Sequence, residues 1–252
     1  MKGRASSLIR RFVSLRPSSF ASFVEVERAE RLFYLNYLRE GMTVFDVGAN
    51  IGELTMMFSR FVGAGGSVHA FEPGRKSFEK LETIHTLASL RNVQLNKLAL
   101  GEKEGTLTLH SYGDDYLSWT SQALRPLEGY GIDIHAVTTE EASATTLDLY
   151  CEGKGIESID LLKVDVEGAE FQVLLGANRM LESRSVRCIT FEFGQTTFDM
   201  HNDPNDMETY LKNLGYVLRN VVENDPVFPG RANPETASFS MHVAMPAGAR
   251  FT

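Results

Sequence analysis

The chain has 252 residues, 43% of them hydrophobic, with a formal net charge of −8 and a pI near 5.3. That length suits one domain of moderate size with a sizeable core, and the acidic balance argues against nucleic acid as the main partner. Two cysteines, Cys151 and Cys188, make no disulfide framework and suit a reducing, cytoplasmic compartment, and no apolar run approaches the roughly 18 residues that a membrane span needs.

The N-terminus departs from the overall charge. Residues 1–24 carry Lys2, Arg4, Arg10, Arg11 and Arg16 without an acid, around an apolar stripe of Leu8, Ile9, Phe12, Val13 and Leu15. Such a segment suits a transit peptide or a membrane-surface helix, but an amphipathic cap on a sheet or a frayed arm is the simpler reading. Residues 1–40 are therefore set apart as a helical arm, and 41–252 as the main domain. Val24, Leu32, Phe33, Leu35 and Leu38 recur at mostly helical spacing over 23–39, and Gly41 supplies a stop.

The next stretch organises the chain. Thr43-Val44-Phe45-Asp46-Val47 is β-branched and aromatic, as a buried parallel strand should be. Gly48 and Gly52 follow, and then Leu54, Met57, Phe58 and Phe61 repeat at helical spacing. Strand, glycine turn and helix place free backbone N–H groups at the carboxyl end of a strand, where open α/β sheets bind ligands. Only two glycines are present, so the dinucleotide fingerprint is absent. A second apolar run, 67–72, ends in Glu72, placed to accept both hydroxyls of a ribose. One nucleoside, no required pyrophosphate and an acid near the turn suit S-adenosylmethionine.

Further on, 77–90 is expected to be a helix and 93–100 a strand, with 106–110 as its hairpin partner. From 111 to 144 the periodicity breaks around Tyr112, Tyr116, Trp119 and Tyr130, as in a lid or binding loop; within it, 132–137 alternates like a strand. A short helix capped by Thr145 or Thr146, a strand over 160–166, an amphipathic helix over 168–181 and a strand over 186–193 come next. A helix over 207–214 and late strands over 216–222 and 239–245 complete the chain. This alternation means right-handed βαβ units and a mostly parallel, doubly wound α/β sheet.

Several blocks in this order resemble the FkbM family of S-adenosylmethionine-dependent methyltransferases. They are Phe45-Asp46-Val47-Gly48-Ala49-Asn50-Ile51-Gly52, Ala70-Phe71-Glu72-Pro73, Leu98-Ala99-Leu100-Gly101 and Thr146-Leu147-Asp148. The longest is Asp160-Leu161-Leu162-Lys163-Val164-Asp165-Val166-Glu167-Gly168-Ala169-Glu170, followed by Leu174-Leu175-Gly176-Ala177. The resemblance covers roughly residues 40–195. It implies the class I, Rossmann-like methyltransferase sheet with an antiparallel C-terminal hairpin, and O-methylation of a hydroxyl on a sugar, polyketide or other small metabolite. Asn50 stands, as in the family, where many methyltransferases have a third glycine.

On this reading Asp46 holds the turn and contacts the methionyl end, Gly48 and Gly52 let the cofactor approach the backbone, Glu72 binds the ribose, and Ala99 lies near the adenine. Asp165, ending its strand, faces the methyl group or acceptor. Glu167 and Glu170 crowd it, which raises carboxylate pKa values and suits a base. The same acids suit a divalent cation or a helix cap, and because nothing but acid clustering argues for an ion, no metal is assigned. Glu192 falls on the same edge. His201, between Asp199 and Asp203, is a candidate base, and His69 a packing residue. The alternative is a SAM- or nucleotide-binding protein of the same fold without transfer activity. The missing third glycine counts against an oxidoreductase, and no G-x-S-x-G elbow supports a hydrolase.

Overall fold

The computed structural model describes residues 20–125 and 137–249. The basic segment before residue 20 and the expected strand at 132–137 (save Val137) therefore lie outside the described residues.

The chain opens with helix α1 (Phe23–Tyr37), whose N-cap Ser22 forms a capping box with Glu25. Strand β1 (Thr43–Val47) leads through the glycine turn into α2 (Glu53–Val62). Then come β2 (Ser67–Phe71), α3 (Arg75–Ala88) and β3 (Val93–Asn96). Two short elements, β4 (Ala99–Leu100) and β5 (Gly105–Ser111), precede a 3-10 turn at Asp114–Trp119 and strand β6 (Thr138–Thr145). The second half runs α4 (Leu147–Lys154), β7 (Leu161–Val164), α5 (Glu170–Leu175), α6 (Asn178–Glu182) and β8 (Ile189–Phe193). It ends with α7 (Gln195–Asp199), α8 (Pro204–Asn213), β9 (Tyr216–Asn220) and β10 (Ser240–Pro246).

Seven strands form one sheet in the order β3-β2-β1-β7-β8-β10-β9. All pairings are parallel except those of β10, which runs antiparallel to both neighbours. Both faces are covered, which explains why the central strands are continuous apolar runs. On one face Phe33 and Tyr34 of α1, its C-cap Leu38, and Phe58 and Val62 of α2 pack on Val44, Leu161 and Val243. On the other, Leu147, Val173, Leu174, Leu181 and Met207 of the later helices pack on Phe45, Leu162 and Phe191. His69 is a packing residue as expected: its Nδ1 lies 2.9 Å from the Tyr150 hydroxyl at the edge of this core.

Three expectations change. The run 93–100 is two strands: β3 stays in the main sheet, while β4 leaves it to pair with β6. The hairpin partner of β5 is also β6, so a second, three-stranded sheet forms in the order β4-β6-β5. The helix expected over 168–181 breaks into α5 and α6. Gly176 sits against the backbone of Gly101, where a Cβ would come within 1.9 Å of the Gly101 carbonyl oxygen, and its own carbonyl accepts the Asp148 N–H at 3.0 Å. Helical periodicity continues through this break because both pieces keep the same apolar face toward the sheet.

Candidate active site

Strands β2, β1, β7 and β8 end side by side, so the residues at their carboxyl ends form a row: Glu72, the Gly48–Asn50 turn, Asp165 and Glu192. The turn is held by the neighbouring strand, with Gly48 N–H and Ala49 N–H both donating to the Phe71 carbonyl at 3.0 and 2.9 Å. Gly48 has φ +79°, and a Cβ there would come within 1.8 Å of the Asp165 carbonyl oxygen, so only glycine fits. Asn50 is left-handed as well, at φ 48°. Its N–H donates to Glu72 Oε2 at 2.8 Å, while its own Oδ1 is buried without a hydrogen-bond partner.

Two clefts meet over this row. The smaller, of about 110 Å³, is lined by Gly48, Asn50, Glu72, Ala99 and Leu100, with Thr120 opposite. The larger, of about 580 Å³, is lined by Glu30 of α1, Trp119, Lys163, Glu192 and Phe239 among others. Gly48, Asn50, Ser118, Asp165 and Glu167 line both. The two clefts therefore share a wall that includes Asp165.

Glu72 is 7% exposed. Its oxygens accept the Asn50 and Gly74 N–H groups at 2.8 Å each, and burial still pushes its pKa up to about 7. Lys163, 2% exposed, ties the turn together. Its Nζ lies 3.0 Å from Asp46 Oδ1 and 3.6 Å from Asp165 Oδ2 and donates to the Gly48 carbonyl at 2.8 Å. Burial alone would discharge it, but the carboxylates of Asp46 and Asp165 outweigh that and raise its pKa.

Asp165, Glu167 and Glu192 bring carboxylate oxygens within 4.8 Å of one another. Arg125 pairs with Glu167 at 3.2 Å and Lys163 with Asp165, whereas Glu192 has no cation at ion-pair distance among the described residues. Burial first, then repulsion from Glu167 and Asp165, pushes the Glu192 carboxyl well above the usual range. Burial likewise raises Glu167 to about 8 against the pull of Arg125. Three oxygens this close could hold a divalent cation, although two already face a protein cation.

Other expected site residues stand elsewhere. Asp46 is fully buried and lines neither cleft: its carboxylate accepts the Thr55 hydroxyl at 2.5 Å and pairs with Lys163, so it holds the turn from below and reaches no ligand space. Gly52 caps α2 and also lines neither cleft. His201 is exposed after α7 and lines neither cleft, because α7 carries the chain away from the row. Glu170 accepts the Val166 and Gly168 N–H groups at 2.9 and 3.1 Å, which makes it a brace for its own turn. Lys163 and Arg125 escaped sequence reasoning as site residues. Lys163 is visible only as a charge inside an apolar strand, and Arg125 carries no signal at all.

A family model described as the methyltransferase FkbM domain matches residues 46–218, from β1 into β9. The chain belongs to the FkbM methyltransferase family. The 31-O-demethyl-FK506 methyltransferase FkbM of Streptomyces tacrolimicus is 30% identical over 77% of this chain and 78% of that protein. The 2-O-methyltransferase NoeI of Sinorhizobium fredii is 26% identical over 55% of this chain and 58% of that protein. In fold, the chain is similar to the crystal structure of methyltransferase FkbM from Methylobacillus flagellatus, at 14% identity and a TM-score of 0.50, covering 95% of this chain and 59% of that one. As an FkbM methyltransferase the chain is an S-adenosylmethionine-dependent enzyme with the class I fold. The residues present fit that cofactor: the orphaned Asn50 Oδ1 and the Glu72 carboxylate are acceptors awaiting hydroxyl or ammonium donors. No described helix is long and apolar enough to cross a membrane.

Proposed function

We propose that this FkbM methyltransferase methylates a hydroxyl oxygen of a small metabolite, with the cofactor in the smaller cleft and the acceptor in the larger. The observation that carries this is the wall the two clefts share at Gly48, Asn50 and Asp165. Bound S-adenosylmethionine supplies a methyl group already activated by its sulfonium. The protein's work is then to hold donor and acceptor in line and to take the hydroxyl proton.

Glu72 and Asn50 face the cofactor's hydroxyl and ammonium donors, and Ala99 and Leu100 give its base an apolar wall. Lys163, pinned between Asp46 and Asp165, fixes the Gly48 carbonyl and the Asp165 carboxylate. Asp165, on the wall shared by the two clefts, receives the hydroxyl proton. Hydroxyl acceptors are supported by the names of the two relatives, both O-methyltransferases. A cleft floored by carboxylates repels phosphates, which supports a small molecule over nucleic acid. The two buried free cysteines support a cytoplasmic location.

The test is calorimetric titration with S-adenosylmethionine and then NAD(H), followed by mass spectrometry of hydroxylated sugars and polyketides incubated with protein and cofactor. Saturable S-adenosylmethionine binding and a methyl ether product support the reading. Binding without transfer to any hydroxyl would favour a non-enzymatic role.

A further inference from the structure

The floor of the larger cleft comes from the family-matched stretch, but part of its walls does not. Glu27, Glu30 and Arg31 of α1 and Phe239 and Met241 near β10 lie outside residues 46–218. These walls, with the turn bearing Trp119, are where an acceptor would be discriminated. Among the described residues, the acids lining the cleft outnumber the cations. Among the described residues, every cation lining the cleft is already engaged: Arg31 by Glu53 at 3.6 Å, Arg125 by Glu167 and by Asp199 at 3.8 Å, and Lys163 by Asp46 and Asp165. Glu27, Glu30 and Glu192 line the same space with no cation at ion-pair distance among the described residues.

Glu30 is also fixed in place. Tyr34, fully buried, donates to Glu30 Oε1 at 2.8 Å, and its oxygen lies 2.9 Å from Thr190 Oγ1. Thr190 precedes Glu192 by two residues on β8, so both side chains stand on one face of the strand. Glu192 is 7% exposed and lines the cleft. Keeping carboxylates in a partly desolvated wall is costly unless a proton or a cation meets them. Aromatic faces flank the same space: Tyr116 and Trp119 lie 4.8 Å apart, and Phe23 and Phe239 lie 4.7 Å apart. Such faces hold both ring systems and ammonium groups.

We propose that the acceptor carries a protonated amine beside its hydroxyl, that Glu30, aided by Glu27 and Glu192 of the same cleft, reads the ammonium group, and that anionic acceptors are refused. The proposal rests on the larger cleft being the acceptor site. Amine recognition by a helix outside the family-matched region would set this chain's substrate class while leaving the methyl-transfer floor unchanged.

The experiment uses the full chain saturated with S-adenosylhomocysteine and three probes sharing one ring: glucosamine, glucose and glucuronate. Binding is followed by saturation-transfer NMR and calorimetry. The expected result is glucosamine at least tenfold tighter than glucose, no binding of glucuronate, and loss of the preference in E30Q. S-adenosylhomocysteine affinity in E30Q should stay within twofold, which shows that the variant is folded; E27Q should reduce the preference in part. Equal binding of glucosamine and glucose, binding of none of the probes, or a preference that survives E30Q overturns the proposal. Failure of S-adenosylhomocysteine itself to bind the unsubstituted protein would instead overturn the reading of the two clefts.

Discussion

Glu72 shows how one side chain serves two ends. Its carboxylate braces the Asn50 and Gly74 amides and still faces the smaller cleft. Glu72→Ala should raise the Kd for S-adenosylmethionine by about 10- to 100-fold, the range for a lost charge-assisted hydrogen bond, as measured by calorimetry. An unchanged Kd would sink the ribose assignment. Burial also gives the free protein a distinctive pH response. Glu72, Glu170 and Glu30 have pKa values raised from 4.5 to about 7. The folded chain then holds protons that the unfolded chain has released, so stability is greatest below pH 4.5 for these groups and falls as pH rises toward 7. The melting temperature without cofactor should decline between pH 5 and 8, and Glu72→Gln should flatten that slope.

Between elements, β1 and β7 are joined by more than their ladder. Lys163 on β7 sits opposite Asp46 on β1 in register, and their buried ion pair is flanked by the half-buried Asp165 at 3.6 Å from the same ammonium. Lys163→Met leaves those carboxylates without their cation and should cost about 3–5 kcal/mol in urea unfolding. The β1–α2 turn tolerates no side chain at Gly48, where a methyl group would strike the Asp165 backbone. Gly48→Ala should therefore abolish cofactor binding in calorimetry, and retained affinity would show that the turn can move away from β7.

On the scale of the molecule, α1 belongs to the core as well as to the cleft. Phe33, Tyr34 and Leu38 are buried against β1, β7 and β10, and each such side chain contributes roughly 1.5–3 kcal/mol. Their sum approaches the whole stability of an ordinary domain. A chain lacking residues 1–40 should lose its cooperative thermal transition in circular dichroism. A retained transition would show that the sheet closes without this helix.

The strand-turn-helix at Gly48, the acid at Glu72 and the parallel α/β class were legible in the sequence, because local periodicity, glycine placement and motif order report them directly; the antiparallel end followed from the family resemblance. Asp165 and Glu167 were legible for the same reason, lying in one contiguous block. The hold of Asp46 on the turn was read from the sequence as well; its ion pair with Lys163 was not. Both stand in strands, and only the register of β1 on β7 turns two isolated charges into a buried pair. The departure of β4 from the sheet and the break at Gly176 depend on contacts between residues far apart in sequence. The convergence of α1, Glu192 and the Trp119 turn on one cleft does too. Sequence periodicity fixes which face of an element is apolar, but tertiary packing alone decides which elements share an edge and which carboxylates meet across it.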